Sequence, residues 1–544
     1  MLYKGKGRKE NLNDNRFIHC KERFPRAAEG LVLQDGLVDG SSIYQVGGQP
    51  GHRPEEMVRL RYRLNQDTKI QRKTPAGMSE YGSVGPIIGQ GTIGGALVSQ
   101  TVLDDGVMEH FPRAGSPSLE YGSVPLAPLM WVDDMLQASR GLDEARETNR
   151  RVNLMMKQRG LNLNSSKSVC LIIGNKKQKM EATRQLEEQP LMCGEFATQE
   201  KQCEKWLGQQ LSALGLADSA AKTVGNREGK IKAASREIAN IVNDWRSRAV
   251  GGMEAALQLW EACCVPSLLH GAATWVEMSA ATELKLNKLQ NWFVRLVLQV
   301  GPGAPVAGLL WDSCLLDMGL RVWREKLMLI MHIRKLSEES LAHRMYQEQM
   351  DNAWPGLAQE SQKICDQLKI ESVHTTGLEV KQFRKVVTEA CHKLNEQRLR
   401  KKAGEGKKAK RIISEAYLRK EYIGKKKIEN VRIQFRARYG MLPFAGNYGH
   451  DRKFAHSEWL CSCREQREDE SHLLAGSCRV YGDIRERYDN LEDDEDLVRF
   501  FSEVLERREE LEARGLEDEA LAVETCTADD ASLGYTPGHA SLGT

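Results

Sequence analysis

Two groups of side chains in this chain have the types and spacing of working chemistry. The first is Val132-Asp133-Asp134, inside the apolar run PLAPLMWVDDML (125–136). Two adjacent carboxylates at a tight turn project together and can hold Mg2+ ions for phosphoryl transfer, usually with a further carboxylate from a neighbouring strand. Without metal their charges repel and lose water, so burial would be costly. Aspartate is also a common turn residue, and a solvated corner between strands accounts for the same pair. The second group is Cys461, Cys463, His472 and Cys478, spaced C-x-C-x8-H-x5-C in WLCSCREQREDESHLLAGSC. Three thiolates and an imidazole suit tetrahedral Zn2+. Protein would fill all four ligand places, which points to a structural site that stabilises a small fold and away from catalysis. Free thiols beside a surface histidine are the plain alternative.

The elements that must position the aspartates are short. PLAPLMWVDDMLQAS reads as two strands joined at the Asp pair. GLDEARETNRRVNLMMKQRG (141–160) reads as a helix ended by Gly160. SVCLIIG (168–174) is a strand with β-branched character, stopped by Gly174. Hairpin, helix and strand in that order predict an α+β fold. Upstream, MVRLRYRLNQ (57–66) has the look of a short basic helix, and 84–111 runs from a Gly-rich turn into an apolar helix. From about 180 to 440 the pattern is mostly helical. In the 283–300 stretch the apolar positions Leu286, Leu289, Phe293, Leu296 and Val300 keep a helical spacing, which ordinary packing explains.

The chain has 544 residues, enough for about three domains at roughly 150 each. Its apolar fraction of 41% supports a real core. The 13 scattered cysteines suggest a reducing compartment and one metal site, not a disulfide framework. The basic start MLYKGKGRKE has no apolar stretch behind it of the kind a secretory signal needs, and no run approaches a membrane span. A soluble protein of the nucleus and/or cytoplasm is the expectation, with no membrane partner.

Net charge is only +3, but it is unevenly spread. The segment 398–438 is a basic pole that includes Lys401, Lys402, Lys407, Lys408, Lys410, Arg411, Lys425, Lys426 and Lys427, opposed within the segment by Glu405, Glu415, Glu421 and Glu429. Such a run would contact nucleic-acid phosphates without reading sequence, with salt-dependent affinity. A solvated helix face or a nuclear localisation signal reads equally well. The far end is acidic, from EDDED (492–496) onward, and the composition after about 523 predicts disorder.

In order along the chain, several segments resemble the reverse transcriptases of non-LTR retrotransposons. LYKGKGRKENLNDNRFIH (2–19) resembles their fingers motif, and GQGTIGGALVS (89–99) their Gln-Gly motif. WVDD (131–134) is similar to the aromatic-x-Asp-Asp turn that carries metal ligands. RGLNLNSSKSVCLIIG (159–174) resembles the segment ending the palm, and EKWLGQQLS (204–212) the primer-grip turn. LNKLQNWFVRLVLQVGPGAP (286–305) resembles a helix beyond the thumb, and a Cys-Cys-His-Cys motif near 461–478 is typical of these elements. The first six, in the family's order from 2 to 305, run over roughly 300 residues.

The resemblance implies a partial fingers and palm fold, then a mostly α-helical thumb and a C-terminal region with a small zinc knuckle. It divides the chain into a fingers remnant (1–56), a shortened palm (57–178), thumb and following helices (179–320), a basic helical region (321–440), the knuckle region (441–490) and an acidic, partly disordered tail (491–544). It implies Mg2+-dependent DNA synthesis from a DNA primer on an RNA template. Asp133 and Asp134 would bind metal, Gln90 and Gly91 would position template and nucleotide, and Trp206, Leu207 and Gly208 would form the primer grip. Lys167 would neutralise phosphate charge, or stand as a surface lysine.

One part of the family pattern is missing. SIYQVGGQPGHRPEE (42–56) resembles the stretch before a strand that bears a metal-binding Asp. MVRLRYRLNQDTKIQRKTP follows at once and resembles the stretch after the next long helix. Asp67, Asp104 and Asp105 do not suit the missing role. A segment of several dozen residues is inferred to be absent, taking with it a metal ligand and a central strand. The expectation is a catalytically impaired copy. A non-catalytic nucleic-acid-binding protein is the alternative, and an unselected relic or faulty gene model is a third reading.

Overall fold

The structure, a computed structural model, describes residues 2–6, short segments between 69 and 83, and 119–530 apart from 127, 132–133, 159–162, 165–166, 244–251, 407–408, 426, 445–446, 448–459, 477, 489–490 and 492–493. It is a mixed α and β protein, mostly helical, and divides into two compact units. The first holds Met1–Thr223, Trp275–Glu277 and Ile333–Glu360, the second Val224–Thr274, Met278–His332 and Ser361–Thr544. The expected helices at 57–66 and within 84–111 fall outside the described residues.

The first unit is built on a five-stranded sheet of β1 (Leu2–Lys6), β8 (Leu129–Trp131), β9 (Asp134–Ala138), β10 (Val169–Leu171) and β13 (Gln199–Glu200), in the order β13-β10-β1-β9-β8. Among the described residues between β1 and β8 lie the two-residue strands β2 (Lys69–Ile70), β3 (Lys73–Thr74), β4 (Gly77–Met78) and β5 (Gly82–Ser83), and the hairpin β6 (Leu119–Tyr121) and β7 (Val124–Leu126). As the sequence predicts, β8 and β9 are antiparallel and meet at the aspartates, with Trp131 opposite Asp134. Helix α1 (Leu142–Gln158) then carries the chain to β10. Its buried Leu142, Ala145, Thr148, Asn149, Val152, Met155 and Met156 recur every three or four residues, the pattern of one helical face. Asp143 and Glu144 in its first turn favour the positive end of the helix dipole. The helix packs with Met135, Cys170, Ile172, Leu191 and Cys193 in one core.

Both β9 and β10 run antiparallel to β1, so they are parallel to each other with one strand between them. That place is filled by the first residues of the chain. Leu2 stands opposite Ala138 and Leu171, and Lys6 opposite Asp134. The sequence reading expected no strand there.

Helix α2 (Lys176–Glu188) starts at Asn175, whose side chain accepts from the Gln178 amide while Gln178 reaches back to the Asn175 N–H. The expected helical stretch is then interrupted. Strands β11 (Met192–Cys193) and β12 (Phe196–Ala197) form one hairpin, and β14 (Cys203–Trp206) and β15 (Gln209–Ser212) another. Short alternating segments around Gly194 and Gly208 override the helix reading, because both glycines turn the chain with positive φ, 62° and 81°.

The second unit is helical: most of α3 (Leu216–Asn243), then α4 (Met253–Leu259), α5 (Val265–Leu269), α6 (Ala280–Leu298), α7 (Val306–Ser313), most of α8 (Met318–Ile333), and, beyond α9 (Leu341–Asp351) of the first unit, most of α10 (Leu357–Leu368). Next come α11 (Val380–Glu405), α12 (Glu421–Lys425), α13 (Ile428–Arg438), α14 (Glu470–Leu474), α15 (Gly482–Arg485) and α16 (Asp494–Asp530). A π-helical turn at Trp260–Cys264 joins α4 to α5 just before Pro266, which has no N–H to give a regular helix. In α6 the buried face is Leu286, Leu289, Gln290, Phe293, Val294, Val297 and Leu298. Leu296 and Val300 are only half-buried: Leu296 lies at the margin of the buried face, and Val300 lies past the helix end at the left-handed Gln299. Phe293 stacks on Trp260 at 4.5 Å between centroids. Helix α16 runs on to Asp530, beyond the break expected near 523, although Thr525, Cys526, Thr527, Asp529 and Asp530 are weak helix formers.

Helix α7 is buried from Ala307 to Ser313, and Gly308 lies under the ring of Tyr439. A Cβ there would sit 2.6 Å from the ring Cζ. Gly308→Ala is expected to destabilise the protein by about 1–3 kcal/mol through overpacking, read as a lower urea midpoint with unchanged slope.

Candidate functional site

The Asp-Asp corner sits at the end of the β8–β9 hairpin. Asp134 opens β9 and is half-buried, while Asp133, Gln90 and Gly91 lie outside the described residues. The strand beside β9 on its inner side is β1, with sequence LYKGK and no carboxylate. A lysine, Lys6, holds the register position opposite Asp134. Among the described residues these register neighbours add no carboxylate to Asp134, and a two-magnesium site needs converging oxygen ligands. Lys167 is exposed just before β10, its N–H donating to the Asn164 carbonyl at 3.1 Å. Trp206, Leu207 and Gly208 occupy the tip of the β14–β15 hairpin, with φ of 45° at Leu207 and 81° at Gly208. The turn that the sequence predicts is present, and its base is tied down where the Gln210 and Ser212 amides donate to Thr223 and Ser219 at 2.9 Å.

Among the described residues, the group of side chains that converges as metal ligands is Cys461, Cys463, His472 and Cys478. Their ligand atoms all lie within 4.8 Å of one another. The sulfurs of Cys461 and Cys478 are 3.5 Å apart, and Cys463 Sγ is 3.4 Å from His472 Nε2. A tetrahedral ion with zinc-like bond lengths would set these edges at about 3.8 and 3.5 Å. The cluster could therefore hold a metal such as zinc.

Local chemistry builds that geometry. The Cys461 amide donates to Gln466 O at 2.8 Å and the Arg464 amide to Cys461 O at 2.7 Å, closing a tight loop with Arg464 at positive φ. Asp469 then caps α14 by accepting from the His472 amide at 3.0 Å, which places the imidazole on the first turn. His472 Nδ1 is 3.1 Å from Gln466 Oε1. A proton on Nδ1 donated to that carbonyl leaves the Nε2 lone pair facing the thiols. Desolvation raises the Cys461 thiol. For Cys463 desolvation also pushes upward, but backbone donors from Glu465 and Gln466 and the neighbouring thiols bring it below the ordinary value. Behind the ligands lies a small core of Leu442, Phe444, Leu473, Tyr481, Phe500 and Phe501. Ile433 and Ala437 of α13 pack against it.

Within the basic segment most of the described arginines find acceptors in their own unit, while Arg419 is exposed beside Glu254 at 3.6 Å and Lys420 is half-buried against Glu415 at 2.8 Å. Arg398 pairs with Glu283 at 3.5 Å and lies over Trp323, and Arg400 bonds Glu396 and the Ile412 and Glu415 carbonyls while lying over Trp311. Arg432 and Arg436 donate to the Val297 and Gln299 carbonyls at the end of α6. Arg438 bonds buried Asp312 at 3.0 Å and Glu415 at 2.7 Å, and Tyr422 donates to the same aspartate at 2.6 Å. Burial raises the Asp312 carboxyl, and Arg438 and Tyr422 oppose the rise. Carboxylates outside the segment, Glu283, Asp312 and Glu254, thus neutralise charge that the sequence shows as opposed only locally. Lys401, Lys402, Lys410 and Lys427 remain exposed. Lys407, Lys408 and Lys426 lie outside the described residues, as do the side chains of Arg411 and Lys425.

Gln466 was not singled out by sequence, because an amide within a knuckle loop has no distinctive spacing. Asp469, three residues before His472, carries a helix-start pattern that would have found it. The sequence matches no protein-family model and no curated protein. Among the described residues no helix is long and apolar enough to cross a membrane.

Arg438→Met would leave Asp312 buried without its cation. Loss of about 3–5 kcal/mol of stability is expected, with part recovered in the Asp312→Asn/Arg438→Met double variant, both read by urea unfolding.

Proposed function

We propose that this protein derives from the reverse transcriptase of a non-LTR retrotransposon, that its RNA-directed DNA polymerase chemistry is lost or strongly impaired, and that it binds nucleic acid. The observation that carries the reading is the occupant of the strand place beside the Asp-Asp corner. A hairpin with Asp134, a crossing helix and a returning strand keep the order expected of a palm, while LYKGK stands where a carboxylate strand would be needed. Polymerisation joins a primer 3′-hydroxyl to the α-phosphate of a nucleotide with release of pyrophosphate, and metal-held charge drives it. The corner with Lys6 opposite Asp134 offers a poor ligand set for Mg2+. What remains is the exposed lysines and a Cys461, Cys463, His472, Cys478 centre that we assign to structural Zn2+, with RNA or DNA backbone as partner.

Purified protein is expected to give no primer extension on an RNA template with magnesium, with Asp133→Ala indistinguishable from the parent and RNA binding retained by both. Extension by the parent that is lost in Asp133→Ala would overturn the impairment. Absence of RNA binding would overturn the binding role.

The zinc assignment has its own test. One zinc per chain is expected, and Cys478→Ser should lose it along with thermal stability. Gln466→Leu should weaken cobalt uptake by about 10–100-fold, read from the ligand-field absorption of the substituted site. Full stability after chelation would reject a structural metal.

A further inference from the structure

Helix α11 buries every fourth residue from Phe383 to Ala403. On the opposite side another row of fourth residues faces water: Lys381, Lys385, Glu389, Lys393, Gln397 and Lys401. Because both rows advance by four, the exposed row winds with the buried one and stays opposite it along the helix. From Lys381 to Lys401 it covers about 30 Å of helix axis at 1.5 Å per residue. Arg384 and Lys402 are exposed beside it. The ion pair within the row, Lys385 to Glu389 at 3.9 Å, is weak because both side chains are well exposed.

We propose that this lysine row is a docking surface for a nucleic-acid backbone. The inference rests on the nucleic-acid-binding reading above and extends the surface upstream of the 398–438 segment, to Lys381, Lys385 and Lys393. The arginines at 398, 400, 432, 436 and 438 have acceptors inside their own unit. The row presents hydrated ammonium groups, which meet phosphates as point charges without a fixed fork. A 30 Å row matches about nine base-pair steps of duplex at 3.4 Å per strand phosphate. An anionic membrane is the weaker fit. A helix that lies on lipid needs large apolar residues flanking its cations, and the large apolar residue most exposed on α11 is Val386, at 36%.

The test is the salt dependence of binding to a mixed-sequence duplex. For the full chain carrying Lys381→Ala, Lys385→Ala and Lys393→Ala, the slope of log K against log salt should be shallower by about two to three, at about 0.9 for each phosphate no longer neutralised. Glu389→Lys should bind more tightly and steepen the slope by about one. These exposed substitutions leave the buried row intact, and circular dichroism should be unchanged. If the parent binds and neither variant moves the slope, the row is not the docking surface and the binding reading stands. If the parent does not bind at all, both fail. Equal binding to phosphatidylserine vesicles, with loss in the triple variant, would overturn the choice of nucleic acid.

Discussion

A carboxylate almost closed off from water organises the second unit. Asp312 lies in the last turn of α7, where a charge is tolerable only beside a cation and hydrogen-bond donors. Arg438 and Tyr422 supply them from the segment that follows α11. Holding Arg438 there sets the rotation of α13 about its own axis. One side of the helix then brings Arg432 and Arg436 to the open carbonyls of α6, groups that a helix end cannot satisfy by itself. Ile433 and Ala437 meet the small core behind the Cys and His ligands. A single buried pair thus links the helical packing to the candidate metal centre.

The division between arginine and lysine follows from the same constraint. A guanidinium spreads its charge over a planar fork and can bond several carbonyls or a carboxylate while its face lies on an aromatic ring. Arg400 does all of this, bonding Glu396 and two carbonyls over Trp311. An ammonium is more strongly hydrated, and Lys401, Lys402, Lys410 and Lys427 face water, whereas Lys420 is half-buried against Glu415. Much of the basic segment therefore serves the fold, and the charge left facing water among the described residues is carried mostly by lysines.

In the first unit the constraint is strand geometry. A helix crossing between two parallel strands leaves room for one antiparallel strand, and a vacant place would strand backbone donors and acceptors on both flanks. Leu2–Lys6 meets that need through main-chain pairing that asks little of side-chain identity. A sheet can be completed in this way whatever side chains its central strand carries.

The sequence by itself determined the local pieces: the β8–β9 hairpin at the Asp pair, α1 and β10 within a few residues, and the set of Cys461, Cys463, His472 and Cys478 that converges. Each is set by short-range rules, namely periodicity, turn residues and ligand spacing. Only the tertiary structure decided which strand stands beside Asp134, because pairing between residues more than a hundred positions apart leaves no local pattern. It also decided which cations turn inward and which face water. Arg438 and Lys401 look alike in a charged run, and the difference between them depends on Asp312, a residue distant in sequence and adjacent in space. The orientation of His472 by Gln466 belongs to the same class, since the loop fold brings that amide to the ring.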